Sequence, residues 1–206
     1  MKVGDKIPDI ELMEGSPGNK VSISQELKGK GLIIGVPAAF SPSCSEKHIP
    51  AYIDYANLKD AGNVFVVSVN GEDHVVGLCT ASWLISSPDP FVMKAWGLTM
   101  DPQGKSGIRF LADPHAQLTN ALDLAFDSTA IFGQPRSKRY ALVVENGAVK
   151  EAHVEPDNTG VNGELNSRSV SIVYLLTCHQ CLPLTRFLGA DERNAIDYGD
   201  MYNQTD

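Results

Sequence analysis

Cys44 stands in the segment Val36-Pro-Ala-Ala-Phe-Ser-Pro-Ser-Cys-Ser45, whose residue types and order are those of a reactive thiol. Ser41 suits a helix N-cap, and Pro42 suits the first helical position, where its missing N–H would be unpaired anyway. Cys44 then falls in the first turn of a helix, directly after a strand. Free backbone N–H groups and the positive end of the helix dipole face its sulfur and favour the thiolate, the nucleophilic form. Such a thiolate suits peroxide reduction. It attacks one peroxide oxygen, the O–O bond breaks, and negative charge builds on the departing oxygen. The chemistry needs donors aimed at both oxygens and no metal or organic cofactor. The Ser41 hydroxyl and the N–H groups of Ser43 and Cys44 can serve, and a guanidinium would complete the set. The product is a sulfenic acid on Cys44, which a second thiol must reduce.

The elements that must position Cys44 are legible around it. Gly31-Leu-Ile-Ile-Gly-Val36 reads as a buried strand, Pro37 to Pro42 as a turn, and Ser43 to about Lys59 as a helix with Ile49, Tyr52, Ile53 and Ala56 on one face. Asn63 to Val69 is a second buried strand. Pairing the two strands in parallel requires the crossover helix that lies between them. Further on, Arg109–Ala112 reads as a strand and Ala116 to Leu124 as a helix. Tyr140–Val144 and Ala148–Val154 flank Glu145-Asn-Gly147, a hairpin signal. The order predicts a single α/β domain with a mixed sheet flanked by helices.

Pro37-Ala-Ala-Phe-Ser-Pro-Ser-Cys44 resembles the P-G-A-F-[ST]-P-x-C signature of the peroxiredoxin 5 branch of the peroxiredoxins. The surrounding chain agrees at Val3–Pro8, Cys44–Pro50, Val67–Asn70, Phe91–Gly97, Leu111–Pro114, Ile131–Gly133, Ser137–Tyr140 and Val154–Gly160. The resemblance implies a thioredoxin-like fold, with Cys44 as peroxidatic cysteine and Arg139 as the active-site arginine. Ser41 takes the hydroxyl position, and Pro37 shields the thiolate. It also implies a homodimer, and thioredoxin, glutaredoxin or glutathione as reductant. Ala38 departs from the pattern, which has Gly there. If that backbone needs φ > 0, the methyl costs on the order of 1 kcal/mol.

His48, one helical turn beyond Cys44, could act as its base. The resemblance makes it a structural position near the kink at Pro50, and that reading is preferred. Cys178-His-Gln-Cys181 could be a resolving pair or half a zinc site. Residues 71–88 interrupt the resemblance, and it breaks again after Asn162. The expected organisation is a domain over 1–162 with a looped-out insertion at 71–88, and a poorly packed tail over 163–206. Both foreign segments begin Asn-Gly-Glu, and Gly-Glu can be encoded GGT-GAG, a splice-donor pattern. Pro88-Asp89 can supply a matching acceptor. Both segments are therefore candidates for retained intron sequence, with a lineage-specific surface loop as the alternative, and sequencing the spliced transcript tests this. Cys79, Cys178 and Cys181 would then be absent from the cellular protein, leaving Cys44 alone.

The formal net charge of −8 argues against nucleic acid or an anionic membrane as main partner. The start of the chain lacks the apolar stretch of a secretory signal, and four cysteines in this length do not suggest a secreted disulfide framework. A cytoplasmic, antioxidant peroxidase acting on hydrogen peroxide and alkyl hydroperoxides is the expectation. Its rivals are a redox-sensing binding protein and an inactive thioredoxin-like module.

Overall fold

Two apolar runs lie side by side at the centre of the sheet. In the computed structural model, which describes residues 1–56, 58–70 and 89–160, β3 (Lys30–Val36) and β4 (Asn63–Ser68) pair in parallel from Gly31↔Asn63 to Val36↔Ser68. β5 (Arg109–Ala112) extends the parallel set beyond β4. On the other side β8 (Tyr140–Glu145) runs antiparallel to β3, and β9 (Ala148–Val154) antiparallel to β8. Two three-residue strands, β1 (Glu11–Met13) and β2 (Lys20–Ser22), complete a mixed sheet of order β2-β1-β5-β4-β3-β8-β9. A separate ribbon pairs β6 (Ala125–Phe126) with β7 (Arg136–Ser137).

Every central strand is apolar on both faces because both faces are covered. Leu32, Ile34, Val36, Val64, Val66, Ala141 and Val143 join one core with Ile49, Tyr52, Met93 and Trp96. Their alternates Ile33, Phe65, Val67, Tyr140, Leu142 and Val144 join a second core with Ile23, Leu27, Leu118 and Leu122. The first core lies under α2 (Ile49–Ile53) and α3 (Asp89–Met100), and the second under α1 (Ile23–Glu26) and α4 (Gln117–Ala121). A short helix, α5 (Thr129–Phe132), precedes β7. Gly35 belongs to the packing of the second core: a Cβ there would run into the Tyr140 ring.

Several expectations are corrected. The helix expected to reach Lys59 is broken. Its first part, Ser43–His48, is wound as a π-helix, α2 stops at Ile53, and a separate 3₁₀ turn covers Leu58–Ala61. Pro50 has no N–H to donate to the preceding turn, which suits the wider winding there. Ala56, expected on the buried face, is exposed. The helix expected over Ala116–Leu124 is limited to α4, because Ala116 takes a left-handed conformation (φ 51°) before it and Asp123 another (φ 57°) after it. The hairpin is as expected. Asn146 and Gly147 both have positive φ (54° and 73°), the geometry of a two-residue turn between Glu145 and Ala148.

Candidate active site

Cys44 is a free thiol in the second position of the π-helical turn, fully buried at the C-terminal end of β3. The chain reaches it through Pro37 and Ala38, both buried, and then Phe40, which is 51% exposed and has φ 59°. The left-handed residue of this loop is therefore Phe40. Ala38 is not among the positive-φ positions, so the cost foreseen for its methyl does not arise. Pro42 is the first helical residue, as its chemistry suggested, and the Ser41 carbonyl accepts the Ser45 N–H at 2.9 Å. The Ser41 hydroxyl does not cap the helix. It donates back to the Ala38 carbonyl at 3.1 Å.

Arg139 lies between β7 and β8 and is as buried as Cys44. Its Nη1 points at the Cys44 Sγ at 3.5 Å. The other two guanidinium nitrogens are also engaged: Nε donates to the Gly160 carbonyl and Nη2 to the Thr159 carbonyl, each at 2.9 Å. The backbone holds the same segment. Arg139 N–H donates to the Asn158 carbonyl, and Glu155 N–H to the Arg139 carbonyl, both at 2.9 Å. Two neutral acceptors thus lock the fork, and its third edge delivers positive charge to the sulfur.

His48 is fully buried, and neither ring nitrogen has a hydrogen-bond partner among the described residues. Its ring meets that of Tyr52 edge-on, with centroids 5.5 Å apart. Burial, and secondarily the charge of Arg139, pushes its pKa down to about 3. It is therefore neutral at physiological pH and too weak a base to hold a thiol's proton there. The structural reading of His48 fits this environment better than the base. Sequence reasoning did not find Trp96, whose Nε1–H donates to the Ser45 hydroxyl at 3.0 Å, beside the Phe40 ring at 6.4 Å. It also missed the carbonyls of Thr159 and Gly160. Cys79, Cys178 and Cys181, with the resolving and zinc readings attached to them, lie outside the described residues, as does the tail from 163.

A buried thiol in the helical turn that follows a central strand of a mixed sheet, with an arginine held against its sulfur, is an arrangement suited to thiol redox chemistry. The redoxin family model matches residues 2–168, and the chain belongs to that family. Peroxisomal membrane associated protein 20 of Schizosaccharomyces pombe is 36% identical over 163 residues, 78% of this chain and 91% of the relative. Peroxiredoxin-2C of Oryza sativa subsp. japonica is 35% identical over 160 residues, 74% of this chain and 86% of the relative. The solved structure of peroxiredoxin 5 from Alvinella pompejana superposes with a TM-score of 0.65 at 33% identity, covering 85% of this chain and 99% of that one. Within the family the chain is a peroxiredoxin with the thioredoxin-like fold, a thiol-dependent peroxidase.

Proposed function

We propose that Cys44 is the peroxidatic cysteine, oxidised directly by hydrogen peroxide or an alkyl hydroperoxide. The observation that carries this is the Arg139 guanidinium, fixed by two backbone carbonyls and facing the buried sulfur at 3.5 Å. The Cys44 thiolate attacks one oxygen of ROOH, the S–O bond forms as the O–O bond breaks, and RO⁻ leaves and takes a proton to become ROH. Cys44 is left as a sulfenic acid. A first thiol condenses with it to a mixed disulfide, releasing water, and a second thiol frees Cys44. Arg139 stabilises charge on the sulfur and the departing oxygen. Ser41 presents its hydroxyl oxygen to the peroxide as an acceptor, its own proton being held by the Ala38 carbonyl, and Pro37 walls the thiolate from bulk water.

Thioredoxin, glutaredoxin or glutathione supplies the thiols, and the one that sustains turnover identifies itself in the same assay. We read the unit as a homodimer. Phe40 (51% exposed) and Ile131 (72%) offer apolar surface for a second copy, and sedimentation at micromolar concentration tests this. We place the enzyme in the cytoplasm, and a fluorescent fusion found in peroxisomes would overturn that placement. No helix among the described residues is long and apolar enough to cross a membrane. The decisive experiment is hydrogen peroxide consumption with dithiothreitol, beside a Cys44→Ser control. Rapid consumption abolished in the control supports the reading. Consumption surviving it moves the chemistry to another residue, and stoichiometric oxidation without turnover favours a redox sensor.

A further inference from the structure

β4 ends at Ser68, and Asn70, two residues on, is held at both ends of its amide. Its Oδ1 accepts the Ala39 N–H at 2.9 Å and the Ser68 hydroxyl at 2.8 Å. Its Nδ2 donates to Asp89 Oδ1 at 2.7 Å and lies 3.2 Å from the Met93 sulfur. The orientation follows from chemistry, since the Ala39 N–H can only donate and must face the carbonyl oxygen. A flipped amide would set donor against donor at Ala39 and acceptor against acceptor at Asp89.

Asp89 is out of place for an acidic residue in the first turn of a helix. Such residues sit in water near the positive end of the dipole, whereas Asp89 is 1% exposed. Its second oxygen has no hydrogen-bond partner among the described residues. A carboxyl buried with one oxygen unused costs stability, so its position calls for another explanation. Burial raises its pKa to about 6, against the opposing influence of Asn70 and of the Arg136 charge, with Asp113 adding to the rise. Either protonation state still presents Oδ1 to the Asn70 amide.

We infer that Asp89 is a positioning residue for the peroxide site: it fixes the Asn70 amide, which through the Ala39 N–H fixes the loop Pro37–Ser41 that carries the peroxide-facing groups. Among the described residues the loop has few other anchors of this kind. Ala39 lies between buried Ala38, whose carbonyl receives the Ser41 hydroxyl, and the left-handed Phe40. Holding its N–H against β4 sets where Ser41 stands relative to Cys44. The inference rests on Cys44 being the oxidised residue.

The experiment measures Cys44 oxidation by hydrogen peroxide in stopped flow, Cys44 alkylation by iodoacetamide, and the thermal unfolding midpoint, on the full chain. Asp89→Ala is expected to slow peroxide oxidation about tenfold or more while alkylation stays within about threefold, because misplacing peroxide contacts affects only the reaction that uses them. Asp89→Asn keeps an acceptor and restores most of the peroxide rate. Asn70→Asp sets a second carboxylate against Asp89, near Asp113 and Arg136. Its rate relative to wild type should rise on acidification from about pH 8 to about pH 5, as the carboxyl pair comes to share a proton. Asp89→Ala at the wild-type peroxide rate, or peroxide and alkylation rates falling in step, overturns the inference. Should Asp89→Ala fail to fold, a pH-independent ratio for Asn70→Asp overturns it instead. A wild-type Cys44 that peroxide does not oxidise would refute the peroxidatic assignment, and that result is seen before any variant is made.

Discussion

At the scale of single residues, the site turns on geometry that a point charge cannot copy. The Arg139 fork is committed to two carbonyls and one sulfur at once, 2.9, 2.9 and 3.5 Å away. A lysine in its place keeps the charge but cannot span the three directions. Arg139→Lys should therefore behave more like Arg139→Ala than like the wild type, with peroxide oxidation of Cys44 slowed on the order of 100-fold. Second-order rate constants from stopped flow decide this, and a lysine variant within a few-fold of wild type would show that charge alone suffices. Arg139 was legible only through the family resemblance. Nothing in its local sequence announces that residues 155–160 return to wrap it, because that closure is a tertiary event. The Asn70 amide was hidden for the same reason: its partners, Ala39 and Asp89, lie far from it in the chain.

Among the elements, those legible in the sequence are the ones whose chemistry is local. The parallel pair β3 and β4 announces itself by apolar runs with a helix between, and the β8–β9 hairpin by Asn146-Gly147, which both turn left-handed. β1 and β2 are three residues each and carry too little alternation to be read. The helix after Cys44 is shorter than its apolar spacing predicts, because that spacing continues past Pro50, where the winding changes. The segment 71–88, expected from the sequence to be an insertion, has an elemental consequence. Asn70 and Asp89, the residues on either side of it, are in hydrogen-bond contact. Replacing 71–88 by two glycines gives three Cα steps of about 3.8 Å, enough to join the flanks without pulling them apart. The shortened chain should melt within a few degrees of the full one and keep its peroxidase rate, as calorimetry and peroxide consumption would show. Loss of the cooperative transition would mean that the segment is part of the domain.

Two buried titrating groups pull the stability of the whole molecule in opposite directions with pH. Burial raises the Asp89 pKa to about 6 in the folded state against an ordinary value of 3.8, so the folded state holds this proton more tightly. Its contribution is full below 3.8 and is lost as pH rises toward about 6. His48 titrates at about 3 when folded against 6.5, so the unfolded state holds that proton more tightly. Its contribution is full above 6.5 and is lost as pH falls toward about 3. Between about 4 and about 6 the two effects oppose. Asp89→Asn removes one of them, and its stability should fall on acidification by about 1 kcal/mol per pH unit more than that of wild type. Urea titrations at several acidic pH values test this, and parallel profiles for the two proteins would rule it out.

The hydrogen bond from the Trp96 indole to the Ser45 hydroxyl places a fluorophore one residue from the Cys44 thiol. The chain has two tryptophans, and the other, Trp83, belongs to residues 71–88. Removing that segment leaves a single emitter whose indole N–H is bound to the very turn that carries Cys44. The protein thus contains its own optical probe. Its emission should shift in step with sulfenic acid formation, and a signal unmoved by one equivalent of peroxide would mean that the turn stays rigid through oxidation.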